Sequence, residues 1–127
     1  GKAPRKAKVV VLGLTFKEDC PDIRNSKVID IIEQLNTYGI EPMVCDPLAD
    51  ADEVQHAYGL QLTPFEEIKA LDCIILAVAH EAYRNLNIDA LDALFADVAA
   101  DEKVLIDIKS ILKRDDLENA GFRYWRL

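Results

Sequence analysis

The chain has 127 residues, enough for one domain with one buried core, since domains commonly contain about 100 to 150 residues. Half of the residues are hydrophobic and 30% are charged, which is typical of soluble globular proteins, and no apolar run approaches the ~20 residues of a membrane-spanning helix. The net charge of −8 argues against nucleic acid as the main partner, because nucleic-acid binding depends on basic residues that neutralise phosphates.

The first residues, GKAPRKAK, are basic but lack the apolar segment of a secretory signal, so we expect a cytoplasmic protein. We interpret residues 1–7 as a disordered or cloning-derived leader and residues 8–127 as a single domain. We expect no membrane-bound part and no nucleic-acid partner.

Short apolar runs alternate with helical patterns along the whole chain, which is typical of a parallel α/β sheet. The runs are continuous in Val, Ile and Leu, as expected for strands that are buried on both faces. The predicted strands are residues 8–12, 41–45, 73–77, 104–108 and 123–127. The predicted fold is a Rossmann-like three-layer α/β sandwich around a mostly parallel sheet of five to six strands.

The predicted helices are marked by capping residues as well as by apolar spacing. Asn25 or Ser26 can cap the start of the first helix, and Gly39 is placed to end it. Apolar spacing and glycine stops predict further helices over residues 51–58 and 113–120 and around residues 88–95. The segment TPFE, residues 63–66, matches a capping box and predicts another helix start.

The segment after the first strand is the most unusual one on the expected ligand side of the sheet. Ligands of an open parallel sheet bind beyond the carboxyl ends of its strands. The loop from Gly13 is about twelve residues long, and loops longer than about six residues in such units are often functional. Lys17, Arg24 and Lys27 lie near a helix start, which favours an anion, so the pattern predicts a phosphate site. The alternative is a solvated loop in which the lysine and arginine pair with nearby carboxylates.

Other strand ends carry polar residues with two interpretations each. Asp46 is placed where a dinucleotide-binding unit has its ribose-binding acid, but without the glycine fingerprint a turn-forming role before Pro47 is favoured. His80 and Glu81 form an acid/base pair, or His80 is a polar strand-end or helix-start residue, and the second interpretation is favoured. Lys109 follows the fourth strand, where a contact to a phosphate or a base and a structural role are equal alternatives.

The three cysteines, Cys20, Cys45 and Cys73, are too widely separated for a disulfide framework or a C-x-x-C metal site. We expect reduced, buried thiols at Cys45 and Cys73, because both lie in apolar strands. Cys20 lies near Lys17 and Arg24, but no histidine is close in sequence to activate it, so a nucleophilic role is disfavoured. The sequence predicts no catalytic residue and no metal ligand in this chain.

The motif GLTFKEDCPDIRNSKV, residues 13–28, resembles the opening of the C-terminal UDP-binding domain of the UDP-glucose/GDP-mannose dehydrogenase family, whose form is G-x-x-F-K-x-x-x-x-D-x-R-x-S. The matching residues are Gly13, Phe16, Lys17, Asp22, Arg24 and Ser26. The likeness continues through VCDP, ADEVQHAYG and IDIKSIL to the terminal YWRL. It is most similar to the bacterial branch that oxidises UDP-N-acetylhexosamines for surface polysaccharides, the Vi-antigen type of UDP-N-acetylglucosamine 6-dehydrogenase.

The resemblance implies an NAD-dependent enzyme that oxidises the C6 hydroxyl of a UDP-sugar twice, through a thioester on a cysteine outside this chain. It implies a longer protein with an N-terminal NAD-binding domain, a central segment that forms a homodimer, and this third domain, which is expected to be inactive alone. Two alternatives remain open. One is the C-terminal domain of a UDP-glucose 6-dehydrogenase, and the other is a stand-alone nucleotide-sensing module without enzymatic activity.

For single residues, the resemblance implies that Phe16 and Lys17 contact the UDP-sugar, with Lys17 near the diphosphate or the sugar. Arg24 is expected to reach the NAD side of a cleft between domains. Lys109 is expected to contribute to the UDP site, with Ser110 as the alternative because the alignment is open by one position there. Cys20 gains no catalytic role from the resemblance.

Overall fold

The computed structural model describes residues 7–126, through which a parallel sheet of five strands runs. The strands are β1 (Val9–Leu12), β2 (Met43–Cys45), β3 (Cys73–Leu76), β4 (Val104–Asp107) and β5 (Arg123–Arg126). The predicted α/β fold is confirmed, and each of the strand pairings is parallel. The predicted leader, residues 1–7, lies outside the described residues apart from Ala7.

The strands lie in the order β2-β1-β3-β4-β5, so the chain moves outward from β1 to β2 and then returns past β1 to β3. The strand order therefore reverses between β1 and β3. We call the carboxyl ends of β1 and β3 the switch point, which is where open α/β sheets bind ligands. Leu12 of β1 pairs with Leu76 of β3 on one side and with Cys45 of β2 on the other, so the loops after all three strands begin side by side.

The strands are joined by helices α1 (Val28–Thr37), α2 (Ala51–Tyr58), α3 (Glu81–Arg84), α4 (Ile88–Asp92) and α5 (Arg114–Asn119). The predicted helix over residues 51–58 is confirmed as α2. It begins where the Asp50 carboxylate accepts the Glu53 N–H at 3.0 Å, and it ends at Gly59 in the left-handed region, φ 67°. No helix within residues 7–126 has the length and apolar character needed to cross a membrane.

Neither residue expected to cap α1 is its N-cap, which is Lys27, but Ser26, one residue earlier, still holds the start of the helix. Its hydroxyl accepts the Val28 N–H at 3.2 Å and donates to the Leu14 carbonyl at 2.5 Å. The second bond ties the start of the helix to the loop after β1. Gly39, with φ 79°, follows the last turn of α1.

The prediction that a helix begins in the segment TPFE, residues 63–66, is wrong. The segment forms only a short 3₁₀ turn at Phe65–Glu67, and no side chain caps it. The Thr63 N–H donates to the Val44 carbonyl at 2.7 Å, so Thr63 extends beside β2. A backbone partner in a neighbouring strand thus outweighs the local capping pattern. The helix predicted around residues 88–95 is also shorter than expected, because α4 ends at Asp92.

Apolar side chains pack on both faces of the sheet. On one face, α1 and α2 bury Val9, Val11, Ile32, Val44 and Val54. On the other face, α3, α4 and α5 bury Val10, Leu12, Leu76, Leu91, Leu105 and Leu117. The α1/α2 face is less complete over β4 and β5, where Ile106 is half-buried and its strand partner Trp125 is 58% exposed. Cys45 is buried as predicted, whereas Cys73 is only half-buried.

Candidate functional site

Gly13 carries the chain out of β1 and lies against the residues that follow β3. Its φ is +102°, and a Cβ at this position would lie 2.6 Å from the Cβ of Val78. Glycine is therefore required at this position for two reasons. It tolerates a positive φ, and it leaves space for the close approach of the backbone. The Gly13 N–H donates to the Cys45 carbonyl at 2.8 Å, so the loops after β1, β2 and β3 meet here.

Asp46, directly after β2, is the acceptor that joins two of these loops. Its Oδ2 accepts the N–H groups of Leu14 at 2.7 Å and Thr15 at 3.1 Å. Its Oδ1 accepts the N–H groups of Leu48 at 2.8 Å and Ala49 at 3.1 Å. The turn-forming role favoured from the sequence is confirmed. Because both carboxylate oxygens are engaged, Asp46 is not available to bind a ribose.

His80 is 1% exposed and links Asp46 to the loop after β1. Its Nδ1 accepts the Asp19 N–H at 2.9 Å. A backbone N–H only donates, so Nδ1 carries no proton and the proton of the neutral ring lies on Nε2. Nε2 lies 2.9 Å from Asp46 Oδ2 and 3.1 Å from Thr15 Oγ1, and it donates toward the carboxylate. The imidazole therefore connects the loops after all three strands.

The Asp46 carboxyl shows two opposing electrostatic effects. Burial alone raises its pKa, but the donors on Leu14, Leu48 and His80 outweigh burial and hold the pKa below its ordinary value. Asp46 is thus a carboxylate at neutral pH, as its four backbone donors require.

The His80–Glu81 acid/base alternative is not formed. Glu81 is exposed, and its backbone N–H donates to Asp19 Oδ1 at 2.8 Å. The favoured interpretation of His80 as a helix-start residue is confirmed, since α3 begins at Glu81. The bond from His80 to Asp46 was not predicted.

Phe16, Lys17 and Glu18 form the exposed apex of the loop after β1. The Phe16 N–H donates to the Asp22 carbonyl at 2.6 Å, which closes the base of the apex, and the Phe16 side chain is 56% exposed. Within residues 7–126, the Lys17 ammonium has no ion pair and no hydrogen bond. It is therefore free to bind an anion.

Arg24, in contrast, is paired inside the loop. Its Nε and Nη2 donate to the two carboxylate oxygens of Asp22 at 3.0 and 2.9 Å. These bonds lower the pKa of Asp22 to about 2. The Arg24 side chain remains 85% exposed. The alternative of internal pairing thus holds for Arg24 and not for Lys17.

Lys109 is exposed in the turn that follows β4. The turn is held by Asp107, whose oxygens accept the N–H groups of Ile111 at 3.0 Å and Leu112 at 2.9 Å. Only β3 separates β4 from β1, so the carboxyl ends of β1 and β4, where the Lys17 and Lys109 loops begin, are two strand spacings or roughly 10 Å apart. Ser110 is also exposed, with φ 56°, so the choice between Lys109 and Ser110 remains a prediction.

A cleft of about 500 Å³ opens beside this edge, between the end of β2, residues 62–66 and α3. Its lining is largely apolar and includes Phe65 and Tyr83, but no residue of the loop after β1. The residues predicted to hold a sugar nucleotide are thus exposed and lie outside the lining of the cleft. The cleft was not predicted, because it is lined by the TPFE segment, for which the sequence pattern predicts a helix start.

Cys20 is a half-buried free thiol that makes no hydrogen bond within the described part of the chain. The structure therefore offers no group that would activate it as a nucleophile. Across residues 7–126, no group of three His, Cys, Asp or Glu side chains is arranged to hold a metal ion.

Known proteins match this chain over nearly its whole length. The UDP binding domain of the UDP-glucose/GDP-mannose dehydrogenase family matches residues 10–114. The chain belongs to this family. Protein CapL of Staphylococcus aureus is 43% identical over 95% of this chain and 27% of that protein. A UDP-N-acetyl-D-glucosamine 6-dehydrogenase of Pseudomonas aeruginosa is 41% identical over 86% of this chain and 25% of that protein.

The fold of this chain also matches that of a solved structure. The crystal structure of NDP-N-acetyl-D-galactosaminuronic acid dehydrogenase from Methanosarcina mazei Go1 superimposes with a TM-score of 0.83 and 26% identity, over 99% of this chain and 25% of that chain. The chain thus spans about a quarter of the length of the relatives it matches. The predicted resemblance, including the likeness to UDP-N-acetylglucosamine 6-dehydrogenases, is confirmed.

Proposed function

We propose that this domain binds the UDP part of a sugar nucleotide at the switch point, within a longer NAD-dependent UDP-sugar 6-dehydrogenase. The observation that carries the proposal is the Lys17 ammonium, which is exposed at the apex of the loop after β1 and unpaired within residues 7–126. The matched family domain is itself described as UDP binding. The 41% identity to a UDP-N-acetyl-D-glucosamine 6-dehydrogenase supports a UDP-N-acetylhexosamine as substrate, oxidised twice to the uronic acid.

The proposed contacts follow from the chemistry of the exposed side chains. Lys17 and Lys109 supply two positive charges on one edge for the diphosphate, where an ammonium binds phosphate as a point charge. The Phe16 ring offers an apolar face on which a base or a sugar can pack. Because these side chains lie on an open surface, we propose that another part of a longer chain completes the pocket.

The residues of this chain do not fit NAD as a ligand that the domain holds by itself. Gly13 stands alone instead of a glycine fingerprint, and Asp46 is fully engaged by backbone N–H groups and His80. We propose that Arg24, which Asp22 holds at the surface of the loop, contacts NAD that is bound mainly elsewhere in the longer protein. The homodimer and the cytoplasmic location remain predictions.

Titration of the 127-residue chain with UDP, followed through amide chemical shifts, tests the proposal. We expect shifts within residues 13–26 and around Lys109 at millimolar UDP, with weak affinity because part of the pocket is absent. Lys17→Ala is expected to weaken binding by roughly tenfold or more, the effect of losing a charge-assisted bond.

Lys69→Ala is the matched control, since it removes the same charge from an exposed side chain that precedes β3 at the opposite edge. Unmoved signals from residues 13–26, or an equal loss of affinity in both variants, would contradict the proposal. In the longer enzyme, NADH formation with UDP-N-acetylglucosamine against UDP-glucose distinguishes the two substrate alternatives.

A further inference from the structure

We propose that His80 is a positioning residue for the sugar-nucleotide loop, because its imidazole holds both ends of the apex that carries Phe16 and Lys17. The choice of UDP as the ligand rests on the function proposed above. The positioning itself rests on the geometry around His80, and it assigns no direct ligand contact to this residue.

The two ring nitrogens of His80 reach opposite ends of the apex. Nδ1 accepts the N–H of Asp19, one residue beyond the apex, at 2.9 Å. The single Nε2 proton is shared between Asp46 Oδ2 at 2.9 Å and the hydroxyl oxygen of Thr15, one residue before the apex, at 3.1 Å. The Thr15 hydroxyl in turn donates to the Lys17 carbonyl at 3.2 Å. His80 is thus linked to the backbone of Lys17 through a single hydroxyl group.

The two ends of the apex depend on His80 to different degrees. At the first end, the Thr15 N–H also donates to Asp46 at 3.1 Å, so this end keeps a bond without His80. At the second end, the Asp19 carboxylate accepts the Glu81 N–H at 2.8 Å and Arg84 Nη2 at 3.1 Å, so its side chain stays held without His80. The Asp19 backbone N–H, however, donates to His80 Nδ1 and loses that acceptor when His80 is replaced. Asp19 has φ 57°, a left-handed conformation that is uncommon for residues other than glycine. Nδ1 therefore holds the end of the apex at which the backbone conformation is less favourable.

The surroundings of the imidazole keep it from rotating. The ring is 1% exposed, its Nε2 is fixed by Asp46 at 2.9 Å, and the ring of Tyr83 lies 5.8 Å away, centroid to centroid. The Tyr83 hydroxyl donates to the Cys45 carbonyl at 3.0 Å, so this neighbour is fixed as well. A rigid support of this kind lowers the entropy that the loop loses when Lys17 binds a ligand.

Two substitutions at His80 separate the roles of its nitrogens. In His80→Asn, the amide oxygen stands at the same bond distance from Cα as Nδ1 and keeps an acceptor for the Asp19 N–H. In His80→Gln, the amide nitrogen stands at the bond distance of Nε2 and keeps a donor for Asp46 but no acceptor for Asp19. Both variants lose the ring and each keeps one of the two bonds, so their affinities compare the Nδ1 bond with the Nε2 bond, and hydrogen exchange at the Asp19 amide reports the Nδ1 bond alone.

We expect His80→Gln to raise the Kd for UDP by roughly threefold to tenfold, the effect of one lost hydrogen bond, and His80→Asn to raise it less. Hydrogen exchange at the Asp19 amide is expected to quicken in His80→Gln and to stay slower in His80→Asn. Amide signals from β4 and β5 serve as the measure of an unchanged fold in both variants.

A second pair of variants keeps the test decisive if the His80 variants do not fold. Thr15→Val has nearly the same shape as threonine and removes only the hydroxyl that joins His80 to the Lys17 carbonyl. We expect it to weaken UDP binding by roughly threefold, and we expect Thr15→Ser to restore the affinity. Equal affinities of Thr15→Val and the wild type would overturn the proposal.

The remaining outcomes separate this inference from the proposed function. If the wild type binds UDP and the Gln and Asn variants match each other in affinity and in Asp19 exchange, the positioning role is overturned while UDP binding stands. If the wild type binds no UDP but Asp19 exchange still separates the two variants, the proposed ligand fails while the positioning of the loop is supported.

Discussion

Asp46, directly after β2, and Asp107, the last residue of β4, share a local role and differ in their distant partners. Each is buried, and each accepts two backbone N–H groups from the loop that follows its own strand. Asp46 also joins Thr15, Asp19 and His80 in what we call the switch-point cluster. Asp107 instead accepts the Tyr124 hydroxyl at 2.6 Å, and we call these two residues the outer-edge pair.

The difference follows from the places of β2 and β4 in the sheet. β2 lies next to β1, so the carboxylate of Asp46 reaches the loop that leaves the switch point. β4 lies next to the edge strand β5, so the carboxylate of Asp107 reaches Tyr124 on that edge. An aspartate at the carboxyl end of a strand thus orders a candidate binding loop in one case and an edge strand in the other.

Removing the central carboxylate has the largest expected effect. Asp46→Ala leaves four N–H groups at the buried switch point without their acceptor, so we expect the free energy of unfolding to fall by about 3 kcal/mol or more. Urea denaturation at neutral pH measures the change. Asp46→Asn, which keeps the shape and one acceptor oxygen, is expected to lose less. A loss under about 1 kcal/mol in Asp46→Ala would show that the loops hold together without the carboxylate.

Adding a methyl group at Gly13 is expected to have the next largest effect. Its Cβ would lie 2.6 Å from Val78 Cβ at φ +102°, so we expect Gly13→Ala to cost about 2 to 3 kcal/mol of stability. Gly121→Ala is the matched control near the outer edge, because Gly121 also has a positive φ but its Cβ would lie 3.3 Å from Ala100. There we expect a cost of about 1 kcal/mol. Thermal or urea denaturation measures both losses. Equal losses of stability in Gly13→Ala and Gly121→Ala would contradict the larger cost expected at Gly13.

Tyr124→Phe probes the outer-edge pair with a smaller effect. It removes the hydroxyl that donates to Asp107, so we expect a loss of about 1 kcal/mol in the free energy of unfolding. UDP affinity, measured in the amide-shift titration, is expected to remain within about twofold of the wild type. A larger loss of UDP affinity would mean that the two regions are coupled and that the comparison fails.

The smallest expected effect is on how the free energy of unfolding depends on pH in the acid range. The pKa of Asp46 is lower in the folded chain than in the unfolded chain, so between the two values the unfolded chain binds more protons. The stabilisation from Asp46 is therefore complete above about pH 4 and is lost as the pH falls further. The difference in the free energy of unfolding between the wild type and Asp46→Asn should therefore narrow as the pH falls below about 4. Urea denaturation at several pH values measures it, and a difference that does not change with pH would contradict the prediction.

The sheet was predictable because its strands are continuous apolar runs between turn signals, and their observed bounds differ from the predicted ones by at most two residues. The largest difference is at β2, which begins at Met43 and not at residue 41. Pro42 precedes it and has no N–H to donate to a sheet. The later start of β2 could therefore have been predicted from Pro42.

The switch-point cluster was only partly predictable. Asp46 and His80 each stood out as polar residues after a strand, and the motif around Lys17 pointed to the correct loop. The bond between Asp46 and His80 depends on the strand order, since β1 lies between their strands and Gly13 leaves room for the approach. The TPFE segment failed for a related reason, because a backbone bond to a neighbouring strand decided its structure.

The spacing of these bonds along the chain has a consequence for folding. Asp107 accepts N–H groups only 4 and 5 residues away, whereas His80 lies 34 residues from Asp46 and 61 from Asp19. Distant contacts must first close long loops, so they form late. We expect the Lys17 loop to be among the last parts of the domain to reach its native structure after refolding begins, and among the first to open in local fluctuations.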